Sequence, residues 1–365
     1  MKKAPILLGL LFLLTQLHAQ QASETLKLQE VLEKQLKEEM PGILFHFQSE
    51  DGKIRWSGTA GVSEKETGKK LLPNQTFRIA SVTKTFVAAS ILRLWEGGKL
   101  QLEEPVASYI STEHAQILSQ DYDLDKINII QVLQHNAGFF DHTHAPVFFE
   151  KVLQPGGHEW TRTEQLKLCV EAGEPIGQPG EKFSYSDTGY IILGEIIERI
   201  QGKTLGLAIP EILEFEKLGL ANTAFEGLNP QIDQARMHQY FQGQDTYSFH
   251  PSMDYFGGGG LLSTTEDLSR FFLALFHGKV FKNPRTLEKM LEAPAYSETP
   301  MMDYRIGIYR IEVNGVEAFS HAGFWGTQVA YFPSLDLAMA TNYSQIWKGR
   351  VPPMFGEALD VLSRK

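Results

Sequence analysis

Strand-forming segments near the two ends of this chain enclose a long helical middle, and this arrangement limits the folds that it can adopt. Near the start, "ILFHFQSEDGKIRWSGTAG" contains two strand-like runs around Asp51-Gly52, a signal for a tight hairpin turn. Near the end, "YRIGIYRIEV" and "VEAFSHAG" flank Asn314-Gly315, a second such signal, and "VAYFPSLDLAMATN" adds further strand. The sequence therefore predicts an antiparallel sheet built from both ends of the chain.

Helical patterns fill the middle. "TFVAASILRLWEGG" and "GYIILGEIIERIQG" predict buried helices that end at glycine, and "STTEDLSRFFLALFHG" is predicted to open with a capping box of Ser263 and Glu266. A last helix is predicted from about Met354 to Arg364. The fold class is thus α+β, an α/β sandwich in which helices flank the sheet. We assign 20–105 and 256–365 to the sheet-plus-helices domain and 106–255 to an inserted, mostly helical domain.

The first residues predict export. Lys2 and Lys3 precede an apolar run, and "LHA" offers a small-residue cleavage site after Ala19, so residues 1–19 have the pattern of a signal peptide rather than of a spanning helix. We expect a secreted or periplasmic protein without stable membrane insertion. Cys169 is the single cysteine among 365 residues, so no intrachain disulfide can form.

The acidic balance narrows the choice of partners. The formal net charge is −10 and the sequence has no basic run, a poor match for nucleic acid or for an anionic membrane surface. A small molecule or peptide is the expected substrate, and the sequence gives no indication of the oligomeric state.

Ser81 and Lys84, in "FRIASVTKTF", stand one helical turn apart where an apolar run begins. A serine hydroxyl needs a nearby base to become a nucleophile, and a buried lysine at a helix start can serve. Alone, this pattern is equally typical of a helix-capping serine followed by a surface lysine.

Two further stretches contain reactive residue types. "PGEKFSYSDTGY" has Tyr185, whose phenol could ionise near a cation and relay protons, and Asp187, which could be a simple helix cap. "FSHAGFWGT" places His321 on a predicted strand, followed by two small residues that would let a substrate approach the backbone. Each alone also fits an ordinary structural role.

In this order and at these spacings the three stretches resemble the serine β-lactamase-like and penicillin-binding protein family, which uses an S-x-x-K motif. The likeness is to the branch of class C β-lactamases, D-alanyl-D-alanine carboxypeptidases and related esterases, whose second motif is Y-x-N and whose third is K-T-G or a histidine variant. "LQHNAGF" is similar to the family's L-x-H-x-S-G-L, and "GGGGLLSTTEDLSRF" to its glycine-rich turn and helix. The resemblance implies a β-lactamase/transpeptidase-like fold.

The resemblance also implies roles for individual residues. Ser81 would be the acyl-accepting nucleophile, and Lys84 and Tyr185 would share the proton transfers, with Tyr185 as the base for deacylation. The backbone N–H groups of Ser81 and Phe324 would form the oxyanion hole. No metal or organic cofactor is implied.

The remaining site residues, Asp187, His321 and Gly323, are expected to contact substrate, and two of them depart from the family pattern. Asp187 replaces an asparagine, so it accepts hydrogen bonds but cannot donate them when ionised, and we hypothesise that it pairs with Lys84. His321 and Ala322 replace the lysine and threonine that commonly hold a substrate carboxylate. A histidine near its reference pKa could still bind a carboxylate at mildly acid pH.

Two short motifs have alternative interpretations. "DHTH", residues 141–144, has residue types that suit zinc, although a polar loop is the simpler interpretation. "GGGG", residues 257–260, lacks the G-K-[ST] of a phosphate-binding loop and is interpreted as a turn.

The sequence therefore predicts an exported serine hydrolase that forms an acyl-enzyme on Ser81 and cleaves an ester, amide or peptide bond. A D-alanyl-D-alanine carboxypeptidase or class C-like β-lactamase is the alternative enzyme. A catalytically silent binding or scaffold relative is the alternative of another class.

Overall fold

The computed structural model describes residues 23–154, 157–296, 302–345 and 352–363. The predicted signal peptide, residues 1–19, lies outside the described residues.

An antiparallel sheet forms the centre of the fold, and its strand order is β3-β2-β1-β13-β12-β11-β10-β9. The two predicted hairpins are confirmed, because β1 pairs with β2 and β10 with β11 across the two glycine turns. The ends of the chain meet where β1 pairs with β13. The strands of the described chain are β1 Gly42–Ser49, β2 Arg55–Glu64, β3 Lys69–Lys70, β4 Phe77–Arg78, β5 Ala224–Phe225, β6 Tyr240–Phe241, β7 Gln244–Asp245, β8 Leu261–Ser263, β9 Asp303–Tyr304, β10 Tyr309–Val313, β11 Val316–Gly323, β12 Thr327–Phe332 and β13 Leu337–Tyr343.

Helices cover both faces of this sheet. The described helices are α1 at 23–34, α2 Thr83–Glu96, α3 Thr112–Leu118, α4 Ile129–Leu133, α5 Pro146–Val152, α6 Arg162–Glu171, α7 Asp187–Gln201, α8 Leu205–Ile212, α9 Phe215–Leu218, α10 Pro230–Gln234, α11 Thr265–Phe276, α12 Pro284–Leu291 and α13 Pro353–Ser363. Nowhere in the described ranges is a helix long and apolar enough to cross a membrane.

Strand β1 shows why the sheet needs two helical layers. Successive side chains of a strand point to opposite faces, and every residue of β1 is buried. Phe45 and Phe47 pack with α1 and α13 on one face, whereas Leu44 joins the core formed with α2 and α11 on the other. The predicted α+β sandwich is therefore confirmed.

The second of these cores extends beyond the sheet into the inserted region. It joins Leu44 of β1 to Ile191 and Ile196 of α7 in one continuous apolar cluster. The region 106–255 contains helices α3 to α10 and the short strands β5, β6 and β7. The limits of the two domains stay a prediction.

The predicted capping box of α11 is wrong by one residue. Ser263 belongs to β8, where it pairs with Phe77, so its backbone is committed to the small sheet β4-β8-β5. Thr264 is the N-cap instead, and its side chain accepts a hydrogen bond from the Asp267 N–H.

Candidate active site

Ser81 lies on a short, strained connection between β4 and α2. It sits in a 3-10 turn, Ala80–Val82, and is half-buried. The preceding residue, Ala80, has φ +43°, a left-handed conformation that non-glycine residues rarely adopt. Such strain persists only where the surrounding structure enforces it, and it is often found at functional sites.

The Lys84 ammonium is fully buried and faces three oxygen acceptors. Its Nζ lies 2.9 Å from Ser81 Oγ and 2.7 Å from the Gly258 carbonyl oxygen. The Asp187 carboxylate forms an ion pair with the same nitrogen. The ammonium thus has two hydrogen bonds and one ion pair for its three N–H donors.

Asp187 contacts Lys84 because it is the first residue of α7. The N-cap of that helix is Ser186, so the alternative interpretation of Asp187 as the cap is wrong. Burial raises the pKa of the Asp187 carboxyl, while the neighbouring Lys84 charge opposes this rise. The hypothesised Lys84–Asp187 pair is thus present in the structure.

The Tyr185 side chain stands over the same lysine. Lys84 Nζ is 5.0 Å from the centre of the Tyr185 ring, and the tyrosine hydroxyl interacts with that of Ser81. Burial raises the pKa of Tyr185 well above its usual value. The phenol is therefore neutral in the resting site, and the expectation that a nearby cation ionises it is wrong.

His321 is buried on β11 and is neutral. Its Nδ1–H donates to the Ala322 carbonyl oxygen at 2.9 Å, and its Nε2 lies 3.4 Å from the Tyr304 hydroxyl. Burial lowers the pKa of His321 to about 3. The expectation that His321 gains a charge at mildly acid pH to bind a carboxylate is therefore wrong.

Position 323 requires glycine because backbone atoms of the segment before Ser81 occupy the space that a Cβ would fill. A Cβ at this position would lie 2.1 Å from the Ile79 carbonyl oxygen. The end of β11 thus packs directly against the segment that carries Ser81, and Phe324 follows at once. Of the two small residues, it is Ala322 that is exposed to solvent.

A buried polar cluster that the sequence analysis did not single out connects these two segments. The Gln239 side chain accepts from the Arg78 N–H at 2.8 Å and donates to the carbonyl oxygens of Arg78 at 3.1 Å and Trp325 at 2.8 Å. Asn342 also donates to the Trp325 carbonyl, at 3.1 Å. Amides dispersed along a sequence give no signal of such a contact.

The glycine run at 257–260 also contributes more than a turn, since the Gly258 carbonyl binds Lys84. A Cβ at Gly257 would lie 2.3 Å from the Tyr190 carbonyl oxygen, and the φ of Gly257 is +126°. In the sequence, the four consecutive glycines were the signal that other backbone atoms approach this segment closely.

The "DHTH" segment forms a single 3-10 turn, His142–His144, with Asp141 as its N-cap. Asp141 accepts hydrogen bonds from the N–H and the hydroxyl of Thr143, at 3.0 and 2.8 Å. His142 contacts the Thr188 hydroxyl at 3.1 Å. Within the part of the chain that the structure describes, no three His, Cys, Asp or Glu side chains are grouped to hold a metal ion.

Comparison with known proteins identifies the family. The model of the Beta-lactamase family matches residues 28–346, which include every residue of the site. The chain belongs to the Beta-lactamase family. The resemblance inferred from the three motifs is therefore confirmed.

Curated relatives of this Beta-lactamase family chain have diverse names. An N-acetylmuramyl-L-alanine amidase of Bacillus subtilis is 24% identical, covering 86% of this chain and 79% of the amidase. A putative D-alanyl-D-alanine carboxypeptidase of Salmonella typhi is 26% identical, covering 76% of this chain and 73% of the relative. Human mitochondrial serine beta-lactamase-like protein LACTB is 26% identical over 72% of this chain, which spans 58% of that protein's length.

Among solved structures, a D-stereospecific amidohydrolase from Streptomyces sp. superposes with a TM-score of 0.77 at 24% identity, covering 93% of this chain and 98% of the other. This likeness shows the β-lactamase/transpeptidase-like fold. Together with the family, it makes this chain a relative of hydrolases.

Proposed function

We propose that this protein is an exported serine hydrolase that is transiently acylated on Ser81 while it cleaves an ester or amide bond. The observation that supports this most strongly is the contact of 2.9 Å between Ser81 Oγ and the fully buried Lys84 Nζ. Tyr185 comes from a segment about a hundred residues away from Ser81 and Lys84, and a scaffold protein would not need the three side chains together.

Acylation begins with proton transfer through the buried pair. The Lys84 ammonium passes one proton to the Asp187 carboxylate, whose raised pKa makes it a better acceptor. The resulting amine takes the proton of Ser81 Oγ as this oxygen attacks the substrate carbonyl carbon.

Tyr185 completes the cycle. Its neutral phenol donates a proton to the leaving oxygen or nitrogen as the bond to the carbonyl carbon breaks, and the phenolate is stabilised by the nearby lysine charge. In deacylation the phenolate takes a proton from the attacking water, and Lys84 returns a proton to Ser81 Oγ as the acid product leaves. Asp187 then passes its proton back to Lys84, which restores the resting pair.

The backbone N–H groups of Ser81 and Phe324 are the proposed donors to the oxyanion that develops in both steps. The Ser81 N–H lies in the first turn of a helix, where N–H groups have no acceptor within the helix. Losing one such donor typically slows turnover by a factor of about a hundred to a thousand.

The charge of the site favours a substrate without a carboxylate. His321 is neutral at pH 7, since its pKa is about 3. Asp254 adds a second acid: burial raises its pKa to about 6, and its carboxylate accepts from the Trp325 indole N–H at 3.1 Å. With one lysine and two acids, the site has an excess of negative charge. It should therefore repel a substrate carboxylate and accept an uncharged ester or an amide that bears an amine.

The alternative activity, that of a D-alanyl-D-alanine carboxypeptidase or class C-like β-lactamase, rests on the similarity to the carboxypeptidase. Both substrate types carry the carboxylate that this site would repel, so we rank it second. The signal-like residues 1–19 support export to the periplasm or the medium.

Intact-mass spectrometry and turnover assays test the proposal. Protein lacking residues 1–19 would be incubated separately with p-nitrophenyl acetate, D-phenylalanine amide and benzylpenicillin, with the Ser81→Ala variant alongside. We expect Ser81-dependent turnover of the ester or the amide and no lasting penicillin adduct. Ser81→Ala should lower turnover by at least about a thousandfold.

Each other outcome has a definite meaning. A Ser81-dependent penicillin adduct would favour the carboxypeptidase or β-lactamase alternative. If Ser81→Ala matched the parent protein on all three compounds, the serine hydrolase proposal would be wrong.

A further inference from the structure

His135 belongs to the "LQHNAGF" stretch, to which the proposed reaction assigns no step. It follows α4, is only 3% exposed, and has φ +56°, in the left-handed region that few residues other than glycine adopt. Its carbonyl oxygen and its ring both contact one neighbouring segment, residues 184–186.

Two hydrogen bonds attach His135 to the residues on either side of Tyr185. The His135 carbonyl oxygen accepts from the Ser184 N–H at 2.7 Å. Its ring Nδ1 accepts from the Ser186 N–H at 3.2 Å. The backbone that carries Tyr185 is therefore held on both flanks by one residue.

The ring of His135 also supports the side chain of Tyr185. The two ring centres are 4.2 Å apart, with 34° between the planes. Tyr190 and Tyr304 pack against other parts of the imidazole, with ring centres 4.9 and 4.7 Å away. The aromatic cluster thus leaves the Tyr185 ring little freedom to turn away from Ser81.

The charge state of His135 agrees with this arrangement. Nδ1 accepts a hydrogen bond, so the proton of the neutral ring is on Nε2. Burial, with the Lys84 charge nearby, lowers the pKa of His135 well below its usual value. The ring is therefore neutral at pH 7, and Nδ1 is available there as the acceptor for the Ser186 N–H.

We infer that His135 is a positioning residue that holds the Tyr185 hydroxyl in line with Ser81, through hydrogen bonds to the backbone on both sides of Tyr185 and through packing against its ring. The inference rests on the proposed function, in which Tyr185 gives its proton to the leaving group. His135 acts through Tyr185 and does not touch the substrate.

Two variants separate its contributions. His135→Asn keeps a side-chain acceptor and suits the left-handed backbone, but removes the stacked ring. His135→Leu removes the acceptor as well. Tyr185→Phe serves as the reference for complete loss of the proton donor, and His46→Gln, at a buried histidine in β1, as the control for loss of a buried histidine elsewhere.

The readout is kcat and KM for two substrates that differ in the need for a proton. An amide or alkyl ester requires protonation of its leaving group, whereas p-nitrophenol leaves readily as an anion. We expect His135→Leu to lower kcat for the amide or alkyl ester about a hundredfold and His135→Asn about tenfold, with KM changed less than about twofold. The nitrophenyl ester should lose much less, and Tyr185→Phe should show the same substrate pattern.

The inference would be overturned if the His135 variants lost kcat equally on both substrates. It would also be overturned if His46→Gln lost as much kcat after correction for the folded fraction, because His135 would then have only a structural role. Normal kinetics in the His135 variants alongside a defective Tyr185→Phe would overturn it while leaving the proposed function standing. If Ser81→Ala and Tyr185→Phe were themselves active, the proposed function would fail first.

Discussion

Two buried cations lie six residues apart on the same segment, and they are held in different ways. Arg78 of β4 and Lys84 of α2 are both almost fully enclosed, with side chains 5% and 0% exposed. Each is paired with a carboxylate from the inserted region, Glu226 in one case and Asp187 in the other. The two pairs therefore invite comparison.

The Arg78 guanidinium is bound on every side. It donates to both carboxylate oxygens of Glu226, at 2.7 and 2.9 Å, and to the carbonyl oxygens of Thr246 and Phe249, at 3.0 and 2.6 Å. Arg236 adds a second cation 2.6 Å from Glu226. This network fixes the strand that leads into Ser81.

The Lys84 ammonium has as many partners as it has protons, but one partner is the reactive hydroxyl and another is an acid with a raised pKa. A guanidinium cannot be deprotonated in a protein, whereas an ammonium can lose a proton. The comparison teaches that burial with satisfied hydrogen bonds can serve rigidity or proton transfer, and the chemistry of the cation decides which.

The largest expected difference comes from replacing each cation with methionine. We expect Lys84→Met to lower kcat/KM by at least about a thousandfold, since the base is lost. Arg78→Met should instead cost about 1–3 kcal/mol in free energy of unfolding, because two buried carbonyl oxygens lose a donor while Arg236 still pairs with Glu226. Urea unfolding and steady-state kinetics on both variants measure this. If Arg78→Met abolished turnover while fully folded, the division of roles would be wrong.

A second, smaller effect concerns how stability depends on pH, and it comes from His46, a buried residue that belongs to neither ion pair. Burial lowers the pKa of His46 in β1 to about 4, against about 6.5 in an unfolded chain. The neutral buried ring contributes stability that is present in full above pH 6.5 and is lost as the pH falls toward 4. The loss is about 3 kcal/mol, because the unfolded state binds the proton first.

Urea unfolding between pH 7 and 4 checks this value, and the His46→Gln variant should flatten the curve over that range. The cost of Arg78→Met should be nearly the same at pH 7 and pH 5, since a guanidinium does not titrate there. A His46→Gln curve as steep as that of the parent protein would contradict the assignment.

The smallest expected effect tests the shared proton of the catalytic pair. Asp187→Asn removes the proton acceptor and its charge but keeps an oxygen facing Lys84, so Lys84 must lose its proton to solvent instead and should do so at lower pH without the opposite charge. We expect the acid limb of the kcat/KM profile to move to lower pH by about one unit. Stopped-flow acylation by an ester across pH 5–9 measures the shift, and an unchanged profile would remove Asp187 from the proton path.

The sequence predicted the elements of the fold well because its signals were local. Gly52 and Asn314-Gly315 supply the left-handed residues of the two hairpin turns, and the apolar pattern of "TFVAASILRLWEGG" is that of a buried helix. The capping box at Ser263 was misplaced by one residue, because the pairing of Ser263 with Phe77 of β4 competes with the local capping signal.

The site was predictable only in part. Ser81 and Lys84 are one helical turn apart, so their contact follows from helix geometry. The neutral states of Tyr185 and His321 could not be foreseen, because burial by distant segments shifts both pKa values. Gln239 and Asn342 gave no signal at all, since each acts through backbone atoms far away in sequence.

The sequence by itself determined the helices, the hairpins, the spacing of Ser81 and Lys84 and the membership of the family, since these depend on short-range geometry and on residue type. Only the tertiary structure decided that Asp187 pairs with Lys84, that His321 is neutral, and that His135 forms hydrogen bonds to the backbone on both sides of Tyr185. The physical reason is that desolvation and charge pairing depend on which segments pack together, and residues from 78 to 342 converge on this one site.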